Sequence, residues 1–257
     1  KRLEEGYSAQ TVKHIHRLLH RALNDAVRWD LVTKNVCDRV DAPRVAKREM
    51  KAFTPQEAQS FLKAAQGDPL ETLYILALTT GMRRGELLAL KWEDINFKQE
   101  MLQVRRTIAH IPHQGFITAE PKTVKSRRSI TLTTLAIEAL KQHRAQQNEQ
   151  RLKAGPAWID QDWIFCKKDG TPIEPSTLLR RSFYPLLLKA EVPKIRFHDL
   201  RHSTASLLLS QGVHPKIVQE LLGHSQISMT LDTYSHVLPS LQKEATDRLN
   251  TLLSKTV

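Results

Sequence analysis

Residues 196–236, RFHDLRHSTASLLLSQGVHPKIVQELLGHSQISMTLDTYSH, set His198, Arg201, His224 and Tyr234 among apolar runs with helical spacing. Pro215 reads as a helix start, and Gly212 and Gly223 read as helix ends. His198 and Arg201 are three apart at the start of a helix, so both can point at one spot. His224 follows Gly223 directly, and Tyr234 comes ten residues later. Tyr234 lies among Thr230, Asp232, Thr233, Ser235 and His236, a polar setting in which a phenol is not wanted merely for burial. Tyr7, Tyr74 and Tyr184 read instead as ordinary half-buried packing. Two histidines, an arginine and a phenol suit the chemistry of a phosphate. Cleaving a phosphodiester without a metal needs cations for the charge on the nonbridging oxygens, a nucleophile, and a proton donor for the departing oxygen.

Working outward, a further arginine stands in TTGMRRGELLAL, residues 79–90. Gly81 ends one helix, and Arg83 opens the next, where free backbone amides favour an anion. Glu86 is within helical reach of Arg83 and is expected to orient its guanidinium, whose planar fork suits phosphate. The alternative is an ordinary surface ion pair. His198 and His202, four apart, also raise a zinc reading, but the glutamate of HExxH and a third ligand are missing, so no metal is expected. A capping or core role accounts for His202.

Ser8 is a plausible N-cap for an amphipathic helix to about Trp29, with Val12, Ile15, Leu19, Ala22 and Ala26 on its apolar stripe. Lys13, Arg17, His20, Arg21 and Arg28 flank that stripe, and Lys13, Arg17, Arg21 and Arg28 are candidate DNA-phosphate contacts. Residues 1–42 make about two helices, too few for an independent core. PRVAKREMK, residues 43–51, reads as a linker. Thr54, Pro55 and Glu57 announce a helix by N-cap, first-turn proline and capping box, with Ala58, Phe61, Leu62 and Ala65 inward. A second helix is expected over about 69–80 and a third from Arg83 through Leu90. Short β-branched runs at 95–97, 102–108, 116–118 and 129–132 predict a small antiparallel sheet. Helix resumes over 134–151, residues 155–175 read as loop with a short strand at 163–166, and everything from Ser176 onward reads as helical. The predicted class is therefore mainly α with a small antiparallel β-sheet, an α+β fold.

The 257 residues carry 39 Lys and Arg against 27 Asp and Glu, a formal charge of +12. The excess is +5 over 1–51 and +7 over 52–257, so both parts can face one polyanion, and nucleic acid or an acidic surface is the expected partner. Cys37 and Cys166 make no disulfide framework and no metal motif, which points to a reducing compartment. No apolar run reaches the roughly 20 residues that span a bilayer, so a cytoplasmic protein without a membrane partner is expected. The start at Lys1, without a Met, leads us to expect lost upstream sequence.

TGMRRGEL, HDLRH, LGHS and TLDTYSH occur here in the order and approximate spacing found in the tyrosine recombinases, the integrases of phages and conjugative transposons, and the chain resembles that family. The resemblance covers 52–237 as a catalytic domain, with 1–42 similar to the last helices of a core-binding domain and 238–257 as a tail helix that packs on its own domain or, as often in this family, docks on a neighbouring protomer. It implies Arg83, His198, Arg201 and His224 as catalytic residues, Glu86 as the supporting acid of Arg83, and Tyr234 as nucleophile. It implies a catalytic lysine in PKTVKSRRSI, residues 121–130, with Lys122 preferred and Lys125 the alternative. Many members have nine residues from the histidine to the tyrosine, where this chain has ten. The implied activity is site-specific recombination through a 3′-phosphotyrosyl intermediate, for integration or excision of a mobile element, with no cofactor. The implied partners are double-stranded DNA at att-type sites, further copies of the chain in a tetramer, and accessory DNA-bending proteins, in a bacterial cell. Rival readings are a type IB topoisomerase and a DNA-binding regulator without catalysis.

Overall fold

The computed structural model describes residues 2, 4–45, 51–120, 127–223, 246–247, 250–251 and 253–254. The chain divides into two compact units, Lys1–Glu49 and Met50–Val257.

In the first unit, helix α1 (Ala9–Arg28) starts where the Ser8 hydroxyl accepts from the Thr11 amide at 3.1 Å. A short 3-10 turn (Val36–Arg39) folds back on it. Asn35 makes that joint. Its side-chain amide donates to the His20 carbonyl at 2.9 Å and to Asn24 Oδ1 at 2.8 Å, and its Oδ1 accepts from the Cys37 amide at 2.9 Å. No residue of α1 is fully buried, and Leu18 and Leu19 stay largely exposed. Of the expected stripe Val12 and Ala26 are half-buried while Ile15, Leu19 and Ala22 are exposed, and the half-buried line runs instead through Val12, His16, His20, Leu23 and Val27. A unit this small has too little interior to cover an apolar helix face.

The second unit begins with α2 (Pro55–Ala65), whose capping box is complete: the Glu57 amide donates to Thr54 Oγ1 and the Thr54 amide to Glu57 Oε2. Helix α3 (Glu71–Thr80) is buried nearly all round, as its unbroken apolar sequence requires. It stops at Gly81, in the left-handed conformation (φ 60°), and α4 (Arg84–Leu88) follows. Aromatic packing joins the helices. Phe61 meets Tyr74 edge-on at 5.3 Å and Phe183 at 6.0 Å, and Phe183 meets Phe197 at 5.2 Å. Burying each such ring contributes on the order of 3 kcal/mol.

The β segments depart from the predicted single sheet. Residues 102–108, expected as one run, form the end of β2 (Met101–Val104) and the start of β3 (Thr107–Ile111). Strand β2 lies between β1 (Ile95–Asn96) and β5 (Arg128–Thr131), whereas β3 pairs with β4 (Gly115–Ala119) in a second sheet. The break falls at Arg105 and Arg106. Arg106 donates to Asp94 and Glu93, both at 2.6 Å, which takes the chain off one sheet and onto another.

Helix α5 (Thr134–Ala154) follows. The strand expected at 163–166 is instead two isolated bridges, Lys91 with Trp163 and Cys166 with Pro172. Ile164 and Phe165 are fully buried there, so their apolar run reflects core packing. Beyond it, α6 (Pro175–Leu178) passes through a π turn (Leu179–Phe183) into α7 (Tyr184–Lys189). The wide turn delivers Ser182 Oγ to within 2.5 Å of Tyr74 Oη and Phe183 into the aromatic cluster. Helices α8 (Phe197–Ser210) and α9 (Pro215–Leu222) complete the described core.

Candidate active site

Helix α8 opens with a clamp. The Arg196 amide donates to Asp199 Oδ2 at 2.8 Å, and its Nη2 donates to Oδ1 at 2.7 Å. Burial acts to raise the Asp199 pKa, but the hydrogen bonds and charge of Arg196 outweigh it and hold the carboxyl below its ordinary range. The clamp orients the first two turns, which carry His198 and Arg201. Further along, Thr204 Oγ1 donates to the Leu78 carbonyl at 2.9 Å, and Ser203 Oγ accepts from the Phe53 amide at 2.8 Å. The first bond docks α8 on α3, and the second ties it to the chain just before α2.

The docking brings the two arginine motifs together. Arg201, 2% exposed, donates from Nη1 to the Gly81 carbonyl at 2.8 Å, and Gly81 is two residues before Arg83. A Cβ on Gly81 would lie 2.5 Å from Leu222 Cδ2, so a side chain at this crossing of α3, α8 and α9 would require the Leu222 side chain to move.

Arg83 precedes α4 with its side chain 40% exposed, while Glu86 is 3% exposed. Arg83 Nη1 donates to Glu86 Oε1 at 2.7 Å, and the Arg83 amide donates to Oε2 at 3.0 Å. Glu86 thus takes up the amide of Arg83 just before α4, and the cation presented here is the Arg83 guanidinium. A third partner was not singled out from sequence. Arg128 Nη2 donates to Glu86 Oε2 at 3.0 Å. Burial alone would raise the Glu86 pKa, but the charge and hydrogen bond of Arg128, then the bonds from Arg83, hold it below its ordinary value. The available signal was strand alternation, since Arg128 shares its phase with the buried Ile130.

His198 is exposed at one edge. Desolvation first, then the positive charges of Arg201, Arg196 and Arg83, lower its pKa against the opposing pull of Asp199. The ring is therefore neutral near pH 7 and able to accept a proton. His202 stacks edge-on against it, 5.0 Å between centroids, and burial followed by His198 brings the His202 pKa down to about 4. Among the described residues no group of three or more His, Cys, Asp or Glu is arranged to hold a metal.

Lys122, Lys125, His224 and Tyr234 lie outside the described residues, as does most of the expected tail helix. Tyr74 is fully buried with its phenol on Ser182, and burial raises its pKa far above the ordinary value, which suits packing and not nucleophilic attack. Lys13, Arg17, Arg21 and Arg28 are exposed on α1 of the first unit, where His20 is engaged by Asp38 at 2.8 Å.

The sequence model of the phage integrase family matches residues 51–240. A tyrosine recombinase XerC-like protein of Caldanaerobacter subterraneus subsp. tengcongensis is 35% identical over 266 residues, covering 97% of this chain and 68% of that protein. The ICEBs1 integrase of Bacillus subtilis is 32% identical over 253 residues, covering 98% and 68%. Among solved structures, the Tn1549 transposon integrase in complex with a circular intermediate DNA aligns with a TM-score of 0.79 at 25% identity, over 96% of this chain and 81% of that one. A lambda integrase dimer bound to a core site shares the fold, with a TM-score of 0.62 at 22% identity over 90% of this chain and 61% of that one.

Proposed function

The chain belongs to the phage integrase family of tyrosine recombinases, and from that premise we propose how its residues cut and rejoin DNA. It is a site-specific recombinase of the kind that moves mobile elements, and its partner is DNA. The observation that carries the assignment of residues is the Arg201–Gly81 bond, which sets both arginine motifs against one another with His198 between their fields.

Tyr234 Oη attacks the phosphorus, the bond to the 5′ oxygen breaks, and a 3′-phosphotyrosyl enzyme forms. His198, neutral near pH 7, takes the phenolic proton. Arg83, Arg201 and His224 hold the nonbridging oxygens as charge builds. Lys122, or Lys125 in its place, gives a proton to the departing 5′ oxygen. The new ester keeps the energy of the phosphodiester, so a partner strand's 5′-hydroxyl reverses the step. Nothing in this scheme needs a metal or a nucleotide. Exchange of strands between two duplexes requires a tetramer on att-type sites, with residues 238–257 docking on a neighbouring protomer and with DNA-bending proteins as accessories. No helix among the described residues is long and apolar enough to cross a membrane. The action on DNA is what assigns the protein to the cytoplasm.

The test is a duplex spanning the joined ends of the encoding element, nicked beside the cleavage position, followed by denaturing electrophoresis. The parent forms a covalent protein–DNA adduct and Tyr234→Phe forms none. Absence of adduct with the parent overturns the reading. With sulfur at the departing 5′ position, Lys122→Ala regains cleavage because a thiolate leaves without a proton; if only Lys125→Ala behaves so, the general acid is Lys125.

A further inference from the structure

No step of strand cleavage uses Arg128, yet its side chain is only 7% exposed at the head of β5. Its Nε donates to the Leu221 carbonyl at 2.7 Å and its Nη2 to Glu86 Oε2 at 3.0 Å. The opposite oxygen of the same carboxylate receives Arg83 Nη1. One buried carboxylate therefore sits between two guanidiniums. Each oxygen of the carboxylate thus has its own guanidinium, which keeps Glu86 ionised despite its burial and fixed against the half-exposed Arg83. Leu221 is in the last turn of α9, three residues before His224 in sequence, and Arg128 follows Lys122 by six. A lysine in place of Arg128 would supply the charge but not two divergent, planar hydrogen bonds.

We propose that Arg128 is a positioning residue for strand cleavage: its guanidinium locks Glu86 against Arg83 and ties β5 to the last turn of α9, anchoring at one point the segments that lead to Lys122 and His224. The inference rests on the recombinase reading. It concerns catalysis and not DNA affinity, because the side chain is only 7% exposed and its Nε and Nη2 are engaged by Leu221 and Glu86.

The experiment compares the parent with Arg128→Gln and Arg128→Lys on the nicked junction duplex, measuring adduct formation in single turnover, DNA binding by mobility shift, and thermal unfolding. An adduct with the parent secures the recombinase reading, so the two variants bear on Arg128 alone. Both variants are expected to bind within about threefold of the parent, while Gln lowers the cleavage rate about 30-fold at pH 7 and Lys about tenfold, the scale of lost support to a reacting group. The charged groups that hydrogen-bond Glu86 are Arg83 from its own turn and Arg128 from β5. Removing Arg128 lets burial raise the Glu86 pKa, so the ratio of the Gln variant's rate to the parent's falls as pH is lowered into the range where Glu86 takes up a proton. The Lys ratio stays flat. A merely structural defect would not move in this way. Parental cleavage rates in either folded variant, or losses of rate and affinity in equal measure, overturn the proposal. If the Gln variant does not fold, the Lys variant decides by the same criterion.

Discussion

Arg201 Nη1 hydrogen-bonds the carbonyl oxygen of Gly81 at 2.8 Å, joining positions 120 residues apart. The bond aims a buried guanidinium from α8 at the turn that presents Arg83, so a change at either end is felt at the other.

Arg201→Lys keeps a positive charge but cannot hold the Gly81 carbonyl and a phosphate with one planar group. Adduct formation is expected to fall by on the order of a hundredfold, with DNA binding changed only a few-fold, as for loss of one aimed donor. Single-turnover cleavage beside a binding titration checks this. Equal losses in both would contradict it.

Gly81→Ala meets two obstacles, the positive φ and the 2.5 Å approach of Leu222 Cδ2 to the added carbon. Together they are expected to cost about 2 kcal/mol of stability. Urea denaturation measures the loss, and the α8–α9 crossing should loosen with it. An unchanged midpoint would mean that Leu222 swings aside freely.

The histidines make stability depend on pH. His202, near 4 in the folded chain against 6.5 unfolded, and His143 and His198, both lowered first by burial, bind protons more weakly folded than unfolded. Their contribution is therefore complete above about pH 6.5 and shrinks as pH falls toward the folded values. Glu86 and Asp199, held low, lose theirs only at more acidic pH. Between pH 7 and 5 the parent should lose more stability than His202→Gln, whose ring faces His198, Asp199, Arg201 and Arg196. Identical losses would remove His202 from the account.

Asn35, 6% exposed, makes three hydrogen bonds between α1 and the turn at 36–39. Asn35→Ala leaves the His20 carbonyl, Asn24 and the Cys37 amide without it, at a local cost of about 2 kcal/mol. Hydrogen exchange of the α1 amides should quicken, while those of α3 and α8 stay as they are. Unaltered exchange in α1 would show that the first unit holds without this joint.

The local devices are legible in the chain itself. Ser8, the Thr54–Pro55–Glu57 box, Gly81 and Gly223 mark helix ends because the groups they satisfy lie within four residues. The same holds for the Arg83–Glu86 ion pair, whose three-residue spacing lets Glu86 in the first turn of α4 reach back to the residue before the helix. The sheets were less legible. Nothing in the β-branched run 102–108 says that Arg106 will seek Asp94 and Glu93, twelve and thirteen residues back, and so divide one strand into two. Arg128 was hidden for the same reason, since an arginine among basic neighbours reads as surface until its acceptors are found.

Helix ends, the order of the four motifs and hence the family are settled by the sequence without a fold, because each rests on near neighbours or on linear spacing. Tertiary packing is needed to bring Arg201 to the carbonyl before Arg83, to share Glu86 between Arg83 and Arg128, and to tie α9 to β5. Those bonds join residues 42 to 120 positions apart. Their partners are selected by the packing of α8 on α3 and of β5 on α9, and no local period in the chain encodes which carbonyl a buried guanidinium will meet.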